Sequence, residues 1–148
     1  MKVEKDFEEF IELLNEHNVK YMIIGAYAFA LYAKPRNTGD LDIFIERSDE
    51  NAGLMMQVLT EFGLESLKIS KEDFITEGRV IQIGVSPVRI DIMNVIDGVN
   101  FNDATNRIVK VKFGDSFANF ISKTDLIKNK LSTNRLKDKA DAEELQQS

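Results

Sequence analysis

The stretch "PRNTGDLDIFIE", residues 35–46, sets two aspartates, Asp40 and Asp42, at the head of an otherwise apolar run. Pro35 stops any helix before it and "RNTG" turns the chain, so residues 40–46 read as a strand. Side chains alternate between faces along a strand, so Asp40, Asp42 and Phe44 share one face and Leu41, Ile43 and Ile45 the other. The two carboxylates are then neighbours, with α-carbons about 6.6 Å apart from the strand rise. Without a cation they repel, and one holds its proton longer than usual. A solvated strand end and a cation site both account for the pair taken alone.

Working towards the N-terminus, "KYMIIG" (20–25) reads as a short buried strand ending at Gly25, and "AYAFALYA" (26–33) as an Ala-rich helix. Strand, glycine and helix in succession leave free helix N–H groups beyond the strand end, a possible phosphate cradle. A glycine there also serves simply for a tight turn. Phe7, Phe10, Ile11 and Leu14 recur at helical spacing, predicting an amphipathic helix over residues 3–17. His17, the only histidine, falls near its end, a solvated or dipole-favoured position.

Towards the C-terminus, residues 48–63 read as a helix with Ser48 as N-cap and Gly63 as its stop, followed by a poorly patterned stretch to Gly78. "RVIQIGV" and "VRIDIMNVI", joined by Ser86-Pro87, predict an antiparallel hairpin. Within the second segment Asp91 lies between Ile90 and Ile92, where a charge is placed only if it is paired or bound to metal. Two acids on one strand and a third on a neighbouring strand match what a divalent-metal site needs. Mg²⁺ takes hard oxygen ligands, usually one or two carboxylates plus phosphates and waters, and in two-metal sites clamps both oxygens of an in-line displacement.

The 148 residues, 43% apolar, suffice for one well-buried core, and neither a repeat nor a linker divides them; a single domain over 1–148 is expected. There is no cysteine, hence neither a disulfide framework nor a thiolate metal site. The acidic N-terminus lacks a signal peptide's apolar core, and no apolar run approaches the roughly 18 residues of a membrane span, so a cytoplasmic location without a membrane partner is expected. The net charge of −6 argues against general nucleic-acid binding. From Arg107 to Lys139, however, nine Lys or Arg face three Asp, a balance of +6 that leaves −12 for the rest. That basic third is either an anion site or a solvated face.

The last segment, "ISKTDLIKNKLSTNRLKDKADAEEL", reads as two helices broken at "STNR". Ser122 and Asp125 open the first, which carries Leu126, Ile127 and Leu131 on one face. By itself, Lys130 there reads as a surface lysine.

Together, Gly25-Ala26 before a helix, "PRNTGDLDIFI", "VSPVRIDIMNVIDGVNF" and this C-terminal segment resemble the minimal nucleotidyltransferases of the DNA polymerase beta superfamily, among them small relatives of abortive-infection nucleotidyltransferase toxins. The resemblance runs from Tyr21 to Leu145 with four motifs in order. It implies an α/β (α+β) fold, a mixed central sheet with flanking helices (1–120) over which two C-terminal helices (121–148) close. It also implies transfer of a nucleoside monophosphate from a triphosphate to an unidentified hydroxyl acceptor (RNA, protein or small molecule), with Mg²⁺ or Mn²⁺ as cofactor.

Carried over by residue, the resemblance makes Asp40 and Asp42 the paired metal ligands and Asp91 the third, which helps deprotonate the acceptor. Gly25 and Ala26 open the phosphate turn, Arg36 and Thr38 line the triphosphate, and Lys130 engages the nucleotide. Arg135, Lys137, Asp138 and Asp141 match the basic and acidic positions that follow it. Two departures stand out. Ala26 replaces the usual Ser or Gly, leaving only backbone N–H groups for phosphate, and Asn134 replaces a glycine at the turn between the last helices, where it is expected to take the left-handed backbone. Two other functions fit the same residues: a nucleotide-binding module with little chemistry, and one half of a toxin–antitoxin pair. A homodimer or an antitoxin partner is accordingly possible.

Overall fold

The computed structural model describes residues 3–36, 39–65, 67–85 and 87–148. The chain opens with α1 (Lys5–Glu16), which turns Phe7, Phe10, Ile11 and Leu14 fully into the core, as the 3.6-residue spacing predicts. β1 (Tyr21–Ile24) runs directly into α2 (Gly25–Tyr32). β2 (Asp40–Ile45) returns antiparallel to β1, and α3 (Asp49–Glu61) follows with the Ser48 hydroxyl accepting from the Asn51 N–H. The stretch without sequence pattern contains a short α4 (Lys71–Ile75), where the Asp73 carboxylate accepts from the Ser70 N–H at 2.8 Å.

β3 (Val80–Val85) and β4 (Val88–Met93) form the expected antiparallel hairpin; Ser86 of its turn lies outside the described residues. A one-turn α5 (Phe101–Ala104), a 3₁₀ turn (Thr105–Arg107) and a second hairpin, β5 (Val109–Phe113) with β6 (Ser116–Phe120), come next. α6 (Lys123–Leu131) and α7 (Leu136–Gln147) end the chain. The six strands make one mixed sheet in the order β3-β4-β2-β1-β6-β5, with β2–β4 and β1–β6 parallel and the other pairs antiparallel. This is the mixed sheet with flanking helices that the sequence resemblance implies.

Two buried asparagines bind the layers. Asn51 accepts from the Lys20 N–H and donates to the Lys20 and Glu46 carbonyls, joining the start of β1, the end of β2 and the first turn of α3. Asn94 accepts from Gly78 N–H and donates to the Phe74 and Thr76 carbonyls, fastening the loop between α4 and β3. Each asparagine is itself buried and has its side-chain amide partnered by backbone groups.

α6 is anchored similarly. The Ser122 hydroxyl accepts from the Asp125 N–H, and the buried Asp125 carboxylate receives two hydrogen bonds from Arg107 at 2.9 and 3.0 Å. The backbone at Asn134 differs from the sequence expectation. Among the described residues only Asn18 is a non-glycine residue with positive φ, so the α6–α7 turn closes without a left-handed residue at 134. The last α6 turn instead ends on Ser132, whose hydroxyl donates to the Lys128 carbonyl.

β6 is a strand that the sequence reading passed over, and it carries part of the core. Phe120 is fully buried beside β1, opposite Ile23, with its ring 6.1 Å edge-on from Phe113. Phe120→Ala is expected to destabilise the protein by about 3–5 kcal/mol in urea unfolding, because the parallel strand cannot collapse into the vacated space.

Candidate functional site

The strand alternation read from the sequence holds in β2, where Leu41 and Ile43 are fully buried while Asp40 and Asp42 remain half-buried on the other face. In the parallel pairing of β2 and β4, Asp42 lies beside Asp91 and Asp40 beside Arg89. Four charged side chains therefore share one patch of one sheet face. Across β1, Asp42 sits next to Ile24, the residue that leads into Gly25.

Gly25 is required there for two reasons. Its φ is +69°, in the left-handed region, and a Cβ at this position would fall inside van der Waals contact with Asp42 Oδ2. The turn from β1 into α2 therefore lets the Asp42 carboxylate lie against bare backbone.

A cleft of about 500 Å³ opens over this point, bringing together Gly25, Ala26, Arg36, Asp42 and Lys130. Arg135 at the N-cap of α7 and Lys137 in its first turn add further positive charge, and Met93, Val95 and Ile96 form an apolar side. Asp40 and Asp91 lie on the same sheet face but do not line the cleft. Thr38 lies outside the described residues.

The electrostatics differ from residue to residue. The Asp42 carboxyl is pushed up to about 6, first by burial and then by the charges of Asp91 and Asp40, with Arg89 and Lys130 only partly offsetting them. Asp40 and Asp91 are spanned by Arg89, whose Nε and Nη2 donate to the two oxygens of Asp91 at 2.9 and 3.1 Å while Nη2 also reaches Asp40 Oδ2 at 2.8 Å. Hydrogen bonding to Asp91, followed by the charges of Asp91, Asp40 and Asp42, holds the guanidinium firmly in its charged form.

On the other wall, Arg36 makes a two-pronged contact to Asp141 at 2.9 and 3.2 Å, with its guanidinium 3.6 Å from the Phe29 ring centre. Lys130 reaches both Asp138 and Asp141 at 3.3 Å. Burial works against charge on these two acids, but Thr133 and Lys130 at Asp138, and Arg36 and Lys130 at Asp141, hold both carboxyls below their ordinary value.

Among the described residues, no three carboxylate or imidazole side chains converge tightly enough to hold a metal ion as they stand. The donor chemistry nonetheless suits a hard divalent cation, since it consists of carboxylate oxygens on adjacent positions of two paired strands. The Asp40 and Asp91 oxygens are turned to a guanidinium instead.

No protein-family model matches the chain, and no curated protein matches it. Among solved structures it is similar to the lincomycin-bound lincosamide antibiotic adenylyltransferase LnuA, with a TM-score of 0.54 and 14% identity over 99% of this chain and 98% of that one. The fold is that of a nucleotidyltransferase. Among the described residues, no helix is long and apolar enough to cross a membrane.

Arg89 is the site residue that sequence reading passed over. Its signal was present, because a residue two before Asp91 on a strand shares its face. His17 stands apart from the cleft, its ring shared between Gln57 and Glu61 of α3.

Two outcomes follow from Asp42 and Gly25. The ordinary carboxyl value is 3.8 and the folded value about 6, so the folded protein holds this proton more tightly than the unfolded chain. Stability from this group is therefore present at low pH and lost as pH rises from about 4 to about 6. Relative to wild type, Asp42→Asn should gain stability through that window and level off above it in chemical denaturation with chelator present. Gly25→Ala should lose about 1–2 kcal/mol from backbone strain alone and, by displacing the carboxylate, shrink the same pH-dependent difference.

Proposed function

We propose that the protein is a metal-dependent nucleotidyltransferase, moving a nucleoside monophosphate from a triphosphate to a hydroxyl acceptor with release of pyrophosphate. The observation that supports this most is the meeting, in one cleft on a nucleotidyltransferase fold, of the Gly25–Ala26 helix start, the burial-strained Asp42 carboxyl, and the Arg36 and Lys130 cations.

In this reading the triphosphate lies along the cleft. The first N–H groups of α2, at Gly25 and Ala26, receive phosphate oxygens at the positive end of the helix; with Ala at 26 they do so without a side-chain hydroxyl. Arg36 and Lys130 supply charge from the opposite wall, Thr38 is assigned beside the triphosphate on the resemblance alone, and the apolar Met93–Ile96 side receives the nucleoside. Asp40, Asp42 and Asp91 would hold Mg²⁺ or Mn²⁺, which when bound neutralises developing charge on the phosphate oxygens. Asp91 takes the proton of the acceptor hydroxyl. The hydroxyl oxygen then bonds to the α-phosphorus as the bond to pyrophosphate breaks.

The lincomycin bound to the structural neighbour makes small hydroxylated molecules the first acceptors to try, ahead of RNA and protein. A second reading, a nucleotide-binding module without turnover, draws support from the engagement of Asp91 with Arg89. The relation to abortive-infection toxins, with an antitoxin partner and a cytoplasmic location, is a further proposal resting on the sequence resemblance.

The test is incubation with labelled triphosphates, Mg²⁺ or Mn²⁺ and panels of small hydroxylated compounds, RNA and protein extract, following both label transfer and pyrophosphate. Turnover should fall by roughly 10²-fold or more in Asp91→Asn while triphosphate affinity stays near wild type, as for an interaction made in the transition state. Lys130→Ala should weaken triphosphate binding roughly tenfold, and affinity should fall with added salt. Triphosphate binding without any product selects the module, and no binding in the presence of metal removes both readings.

A further inference from the structure

Arg89 occupies a specific place in the charge pattern. It faces Asp40 across the β2–β4 pairing and shares a strand face with Asp91 two residues on. Three contacts from one guanidinium engage both oxygens of Asp91 and one oxygen of Asp40. These carboxylates are two of the three that the proposed function assigns to metal. An arginine does not lose its proton in a protein, so it can leave this position only by moving away. A Mg²⁺ or Mn²⁺ ion needs lone pairs of the same oxygens at about 2.0–2.1 Å for Mg²⁺, in near-octahedral array. Guanidinium and ion therefore compete for the electron density of the same Asp91 oxygens, and two positive charges set side by side on one carboxylate repel. The side chain has room to move, since it is 30% exposed.

Resting on the nucleotidyltransferase reading above, we propose that Arg89 is a built-in counter-ion to the carboxylate cluster that competes with a divalent ion for the Asp40 and Asp91 oxygens. Two consequences follow. Without the guanidinium, the mutual repulsion of the three carboxylates would be less compensated, so Arg89 stabilises the cluster. With it, metal alone competes against a resident cation, whereas a triphosphate adds ligands for the ion and negative charge for the displaced guanidinium. Arg89 thus makes metal entry depend on the nucleotide. It is a positioning residue acting through Asp40 and Asp91.

The experiment measures Mn²⁺ binding by electron paramagnetic resonance and calorimetry, and melting in chelator and in Mn²⁺. It compares wild type, Arg89→Met, Arg89→Lys and Asp42→Asn, each with and without a non-hydrolysable triphosphate. Arg89→Met should bind Mn²⁺ alone at least tenfold more tightly than wild type, melt lower than wild type in chelator, and regain that loss in Mn²⁺. Arg89→Lys, which keeps the charge but loses the fork, should fall between the two; it decides the matter if the Met variant does not fold. Mn²⁺ affinity in a folded Arg89 variant equal to or below that of wild type overturns the proposal. If wild type nonetheless binds Mn²⁺ with triphosphate, and Asp42→Asn does not, only the role of Arg89 falls. Absence of Asp42-dependent Mn²⁺ binding in every protein, with or without triphosphate, removes the metal-dependent function as well.

Discussion

Negative charge concentrated on one sheet face is the constraint around which this molecule is arranged. Asp40, Asp42 and Asp91 occupy adjacent positions of two paired strands, and the register that makes Asp42 the neighbour of Asp91 leaves no way to separate them without breaking the sheet. The surroundings answer this repulsion in three ways. Arg89 bridges two of the acids, the third has its carboxyl pushed up to about 6, and Gly25 clears space over it by omitting a side chain. Each feature leaves the acids incompletely neutralised. Such a patch is unfavourable to stability by itself, and its charges are met only in part by the groups around it.

The second charge system runs the other way. Cations from three places, Arg36 after α2, Lys130 on α6 and Arg135 at the start of α7, meet Asp138 and Asp141 of α7. Asp141 serves both Arg36 and Lys130, so the residue after α2 and the C-terminal helices are tied through one carboxylate. The basic character of the C-terminal third is therefore not simply a solvated face. Part of it is spent on internal pairs, including Arg107 with the buried Asp125, while Arg135 and Lys137 line the cleft.

How legible this was in the sequence follows from how local each signal is. The α1 stripe, the β2 alternation, the β3–β4 hairpin, the Ser48 and Ser122 caps and the two C-terminal helices rest on spacings within a few residues, and all are present. β5 and β6 were passed over although "VKVKF" alternates with period two and Gly114-Asp115 links it to "SFANF" as a two-residue hairpin turn. Their strand character depends on pairing with each other and with β1. The turn between α6 and α7 forms with Asn134 in it, but without the left-handed backbone that the asparagine would tolerate, and that choice is not written in the residue type. Alternation aligns Asp40 with Asp42, and Asp91 stood out as an acid within an apolar strand, but the parallel β2–β4 register that sets it beside Asp42 is not a local signal. What alternation could not tell was that Arg89, on the same face, would be drawn into the cluster, because an arginine beside a strand end reads equally well as a solvated side chain. The cleft that joins Gly25, Arg36 and Lys130 depends on α6 and α7 folding back over α2, and only the resemblance supplied that.

The two charge systems meet at Asp42 and Lys130. The Lys130 charge lowers the Asp42 carboxyl, so the lysine is felt across the cleft even while its hydrogen bonds go to Asp138 and Asp141. An anion entering between them would find cations that already have carboxylate partners, Arg36 and Lys130 with Asp141, and carboxylates that already have a cation, Asp40 and Asp91 with Arg89. Binding a polyanion together with a divalent ion would exchange partners on both walls: the ion takes the acids and the phosphates take a share of the cations. Neither half of that exchange is favourable alone, because metal without anion displaces Arg89 with nothing to receive it, and anion without metal faces Asp42 and its neighbours. Under the proposed function, the arrangement would favour joint entry of the two. It would do so by exchange among ion pairs already formed on both walls, Arg89 with Asp40 and Asp91, and Arg36 and Lys130 with Asp141.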